Sequence, residues 1–172
     1  MYSSKISSLK NQYEELVSYC KINNEITFET YINDVYRKVL LLSAASYFES
    51  EIIEIIKSYV AIKSNNNIKI ISLLENKTLL RQYHTFFDWH ANNANQFFGL
   101  FGAEFKELAK KEIIKNHLED AQSAFMSIGS ERNNLVHNNF IEENLNDTFD
   151  EIFKKYEQGC KFIEFIKSLL NQ

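Results

Sequence analysis

The sequence predicts an all-α bundle in one domain, and three observations carry that prediction. Apolar residues recur at intervals of three and four along nearly the whole chain. There is no proline and there are only four glycines, so little interrupts a helix once it has started. No stretch alternates apolar and polar residues between turn signals, as a strand or hairpin would. At 172 residues the chain suits a single domain, 1–172, large enough to bury a core without disulfide or metal support.

Each helix follows from its own pattern. In "YEELVSYCKI", Leu16, Val17 and Cys20 predict the inner face of a first helix. Thr27, or alternatively Thr30, is the expected N-cap of a second. That helix carries Val35, Val39, Leu42, Phe48, Ile52, Ile55, Ile56 and Tyr59, ends at "SNNN", and is expected to be the spine of the core. A helical pair, "IKIISLLENK" and "LLRQYHTFFDW", comes next. "HANNAN" reads as a turn or a new cap, with Asn92, Asn93 and Asn95 as capping residues, and "QFFGLFGAEFKELAKKEIIKN" resumes helical spacing. A helix from about Leu118 carries Ala121, Ala124, Phe125 and Ile128 towards Gly129. The last places Phe149, Ile152, Phe153, Tyr156, Cys160, Ile163, Ile166 and Leu170 on one face.

Bulk properties narrow the function. Net charge is −4 with a pI near 5.6, which argues against coating nucleic acid through a global basic field but leaves room for a local RNA-gripping cleft. Cys20 and Cys160, the only cysteines, are far apart and read as small buried residues in a reducing compartment. The N-terminus lacks an apolar signal core and no apolar run reaches membrane-spanning length. A cytoplasmic protein without a membrane association is expected.

One polar stretch stands apart. In "SERNNLVHNN", residues 130–139, Arg132 and His137 lie five apart among asparagines. On an ideal helix that spacing turns two side chains roughly 140° from each other, whereas Asn133 and His137, four apart, share a face. A helix that loosens after Gly129 would let both tips converge on one cleft. Arginine keeps its charge and can fork onto two phosphate oxygens. Histidine exchanges a proton near neutrality. Together they suit metal-free RNA cleavage: histidine deprotonates a 2′-hydroxyl that attacks phosphorus, and arginine stabilises the charge on the non-bridging oxygens. On spacing alone, such a pair near a helix end is more often solvated or capping carbonyls.

The string Arg132-Asn133-Asn134-Leu135-Val136-His137 resembles the R-x4–6-H signature of the HEPN superfamily, including the polar residue directly after the arginine. "LLSAASYFESEI" (41–52) and "WHANNANQFFGLFG" (89–102) are similar to segments of the RiboL-PSP-HEPN and related stand-alone groups, and the likeness spans about residues 30–170. The resemblance implies a compact all-α bundle and a metal-independent endoribonuclease acting as a homodimer, its cleft built from both protomers. It makes Arg132 the phosphate and transition-state ligand, His137 the acid-base residue and Asn133 the supporting polar residue. Glu49 in "SYFESE" becomes a candidate carboxylate orienting Arg132 or His137, against the alternative of a solvent-facing helix residue. Neither cofactor nor metal is expected. The partners implied are RNA, a second copy of the chain and a possible antitoxin or regulatory protein, in a toxin or anti-phage setting. The competing reading is a HEPN module that binds RNA, nucleotide or a partner without cutting.

Other features have plainer expectations. His84, His90 and His117 do not combine at metal-ligand spacing and are expected to be structural or surface residues. Trp89, Phe97, Phe98 and Phe101 could stack on bases, but at helical spacing they are expected to be core. The basic run at 106–115 is expected to be a solvated helix face.

Overall fold

A computed structural model describes residues 3–79, 82–138, 140 and 142–171. The helices are α1 (Ser4–Ile22), α2 (Ile26–Lys63), α3 (Ile68–Leu74), α4 (Asn95–Gly99), α5 (Ala103–Lys115), α6 (Glu119–His137) and α7 (Phe149–Leu170). No strand occurs among the described residues. The all-α architecture expected from the periodicity is the one observed.

α2 is the spine, packed against α1, α6 and α7. Its buried residues are Lys38, Leu40, Leu41, Ala44, Ala45, Phe48, Ile52, Ile55 and Ile56. Phe48, Ile52, Ile55 and Ile56 are buried as expected, but in the first half, where Val35, Val39 and Leu42 were expected inside, Leu40 and Leu41 are buried while Val39 stays exposed. A helix covered on more than one side has no single apolar stripe, so periodicity points poorly to its inner face. α1 shows a similar shift: it buries Ile6, Val17 and Cys20, while Leu16 is exposed. Both cysteines are buried and free.

Asparagine marks the breaks, as expected. Asn24, Asn65 and Asn66 take positive φ of 56°, 52° and 57°, a conformation that asparagine tolerates better than most residues. His117, with φ of 53°, serves the turn between α5 and α6. The expected cap at Thr27 or Thr30 gives way to Glu25. The pair read at "LLRQYHTFFDW" is corrected: after α3 come a π-helical turn over Glu75–Leu79 and a 3₁₀ turn over Tyr83–Thr85, while Leu80 and Arg81 lie outside the described residues. The next run is also two helices, separated at Gly102, whose φ of 105° suits glycine.

α7 starts at a capping box. Thr148 accepts from the Glu151 backbone N–H, and the Glu151 carboxylate accepts from the Thr148 backbone N–H. Thr148→Ala is expected to cost about 1 kcal/mol, read as a lower urea midpoint with an unchanged slope.

The core between α2, α6 and α7 is aromatic. Phe125 of α6 lies fully buried, with ring centroids 5.2 Å from Phe48, 5.1 Å from Phe87 and 5.5 Å from Phe162. Phe97 and Phe98 are fully buried too, as expected for core residues. Glycine makes room for large rings at two places on helix faces. A Cβ on Gly159 of α7 would meet the Phe48 ring at 2.3 Å, and a Cβ on Gly129 of α6 would meet Trp89 at 1.9 Å.

Candidate active site

The last turns of α6 carry the polar string. α6 runs unbroken through Gly129 to His137, so the expected loosening after Gly129 does not occur. Gly129 is a notch for the Trp89 ring, and the helix keeps its regular geometry there. Arg132 and His137 diverge accordingly, as five residues on a straight helix require. Arg132 is half-buried and lines a cavity of about 20 Å³ with Ala45, Phe48, Glu49, Tyr83 and Trp89 among its walls. His137 is exposed and lines a separate, open cleft of about 510 Å³. Asn133 and Trp89 line both and form the partition between them.

Arg132 is oriented by its neighbour, its Nη1 donating to Asn133 Oδ1 at 3.1 Å. Glu49 shares the small cavity with Arg132, half-buried on α2, with no ion pair to it among the described residues. The two charges meet electrostatically at Tyr83. Burial pushes the Tyr83 phenol well up, the Glu49 carboxylate pushes it further, and the Arg132 guanidinium works against both. Tyr83 therefore stays a neutral hydroxyl beside the arginine at any physiological pH. Sequence reasoning missed it, because no spacing relates it to Glu49 or Arg132.

The open cleft is lined by Thr85, Asp88, Trp89, His90 and Gln96 from the 85–96 segment and by Ser130, Asn133, Asn134, His137 and Asn138 from α6 and its end. Its size falls within the range of about 300–1,000 Å³ typical of small-molecule sites, whereas the 20 Å³ cavity holds little more than a water molecule. Trp89, half-buried, donates its indole N–H to His84 O at 3.0 Å and packs 4.9 Å from Phe87. It is a structural wall, as expected.

The RiboL-PSP-HEPN family model matches residues 7–172. The chain belongs to that family. No curated protein and no solved structure matches it significantly. HEPN membership, first suggested by residues 30–170, thus extends back into α1 and associates the chain with RNase-type or RNA-related function. Among the described residues of this HEPN domain, no group of three or more His, Cys, Asp or Glu is arranged to hold a metal ion, and no helix is long and apolar enough to cross a membrane.

The notch at Gly129 is testable in this HEPN protein because Trp89 is its single tryptophan. Gly129→Ala is expected to destabilise by about 1–3 kcal/mol through overpacking, offset in part by the ~1 kcal/mol helical preference of alanine over glycine. The displaced indole should shift its emission to the red in the folded state.

Proposed function

We propose that this HEPN domain is a metal-independent endoribonuclease that cleaves RNA by 2′-hydroxyl attack. His137 acts as acid-base residue, Arg132 as ligand to the phosphate and the transition-state charge, and Asn133 as the residue that holds the arginine. Glu49 assists from the small cavity, where its charge balances Arg132 across the Tyr83 hydroxyl. The observation that carries this reading is the placement of all three motif residues on the last turns of one rigid helix, with exposed His137 on a cleft of nucleotide size. The reaction joins O2′ to phosphorus, breaks the P–O5′ bond, and leaves a 2′,3′-cyclic phosphate and a 5′-hydroxyl.

The site is proposed to complete itself in a homodimer. One straight helix aims Arg132 and His137 into different spaces, so a single phosphate is most readily reached by both types of side chain when a second copy lies across the cleft. Val136 and Phe140, 52% and 40% exposed, flank His137 with apolar surface suited to such a contact. A toxin or anti-phage effector held in check by an antitoxin or regulatory partner is the proposed setting. The same divergence favours a second reading, a module that binds RNA or nucleotide without cutting. Incubation of purified protein with RNA in EDTA distinguishes the two. Cyclic phosphate ends are the expected result, and RNA bound but intact at all protein concentrations would favour the second reading. Sedimentation should give a dimer.

A further inference from the structure

Cleavage by 2′-hydroxyl attack moves two protons. One leaves O2′ as it bonds to phosphorus, and one must reach O5′ as the P–O5′ bond breaks. The R-x4-H string supplies a single histidine per chain. The cleft that holds His137 holds a second imidazole, that of His90, also exposed and contributed by the 85–96 segment. Among the described residues, the only other titratable side chain lining that cleft is Asp88, while Arg132, Glu49, Tyr83 and His84 belong to the small cavity behind the Trp89 partition.

His90 sits on a built turn. Asp88 Oδ1 accepts from the His90 backbone N–H at 3.1 Å, and Asp88 O accepts from the Ala91 N–H at 2.9 Å. Trp89, between them, is seated in the Gly129 notch of α6, on the face that continues through Asn133 to His137 at four-residue steps. Gln96 Nε2 donates to Thr85 O at 2.7 Å and ties the two ends of the segment together. Gln122 Oε1 of α6, buried, accepts from the Ala94 N–H at 3.0 Å. Two anchors therefore hold the segment against the helix that carries His137, and the Gln96–Thr85 bond closes the segment on itself. A backbone held this way keeps the exposed His90 imidazole beside the cleft that His137 lines, the proximity that acid-base chemistry requires.

We propose that His90 is a second catalytic residue, the general acid that protonates the 5′-oxygen while His137 of the same chain takes the proton from O2′. This rests on the nuclease reading above. Each turnover leaves His137 protonated and His90 neutral, and exchange with water restores both. Acid and base then come from one protomer, and the partner copy is needed for phosphate binding and closure of the cleft.

A substrate with sulfur in place of the bridging 5′-oxygen tests this, because a thiolate leaves without a proton. His90→Ala is expected to slow cleavage of ordinary RNA about 10²–10⁴-fold, yet to cut the 5′-thio substrate within about tenfold of wild type. His137→Ala should stay slow on both. Equal losses for His90→Ala on both substrates would assign the residue to structure or binding and overturn the proposal, as would an undiminished rate on ordinary RNA. Wild-type protein that cuts neither substrate overturns the nuclease reading itself, and His90 falls with it.

Discussion

Replacing His137 with alanine is expected to lower RNA cleavage by about 10²–10⁴-fold while folding stability stays within about 0.5 kcal/mol of wild type. The imidazole is exposed at the end of α6 and makes no hydrogen bond among the described residues, so its removal leaves the core untouched. Arg132→Ala is expected to cost about 10²–10³-fold through lost stabilisation of the phosphorane charge. Arg132→Lys should not restore the rate, because an ammonium cannot reproduce the two-pronged grip of a guanidinium or its bond to Asn133. The decisive measurement is single-turnover cleavage in EDTA beside urea denaturation of the same preparations. Wild-type rates in both variants would remove the motif from the chemistry.

The second large effect lies in the core. Phe125→Ala is expected to destabilise by about 3–5 kcal/mol, a large share of the 5–15 kcal/mol that typically holds a domain together. The ring is fully buried at the meeting point of α2, α6 and α7, in contact with Phe48 and Phe162 and with Phe87 and Trp89 of the segment that walls the cleft. Removing it takes away buried apolar area and leaves a cavity that surrounding rigid helices cannot fully close. Because Phe87 and Trp89 rest on it, the loss should also loosen the 85–96 segment and redden tryptophan emission before global unfolding. Urea titrations followed by circular dichroism and by fluorescence should show the two transitions separating. A destabilisation below about 1 kcal/mol would mean that the cluster repacks far more readily than ordinary cores do.

Much of the fold could be read from local pattern. α7 announced itself through a full apolar face from Phe149 to Leu170 and ended close to where the pattern stops. α6 was recognised through Ala121, Ala124, Phe125 and Ile128, all buried. The reading failed where one residue type has two uses. Gly129 suggested a loosened helix, but it is a notch that admits Trp89, and α6 continues beyond it. Both uses leave the same letter in the sequence, and only the ring on the far side separates them. Leu16 and Val39 were assigned to the interior by spacing, yet both stay exposed, because their helices turn slightly different faces inward.

Helicity and the grouping of Arg132, Asn133 and His137 on one segment were legible directly from the chain. Periodicity, capping preference and the lack of proline act over a few residues, so their consequences are written locally. The company these residues keep is another matter. Glu49 and Tyr83 meet Arg132 at one cavity, and His90 joins His137 at another, through the packing of α2 and the 85–96 segment against α6. Nothing in the spacing of those residues encodes these meetings. They arise because burying Phe125 and seating Trp89 on Gly129 leaves the polar side chains on either side of the Trp89 partition no other space to face.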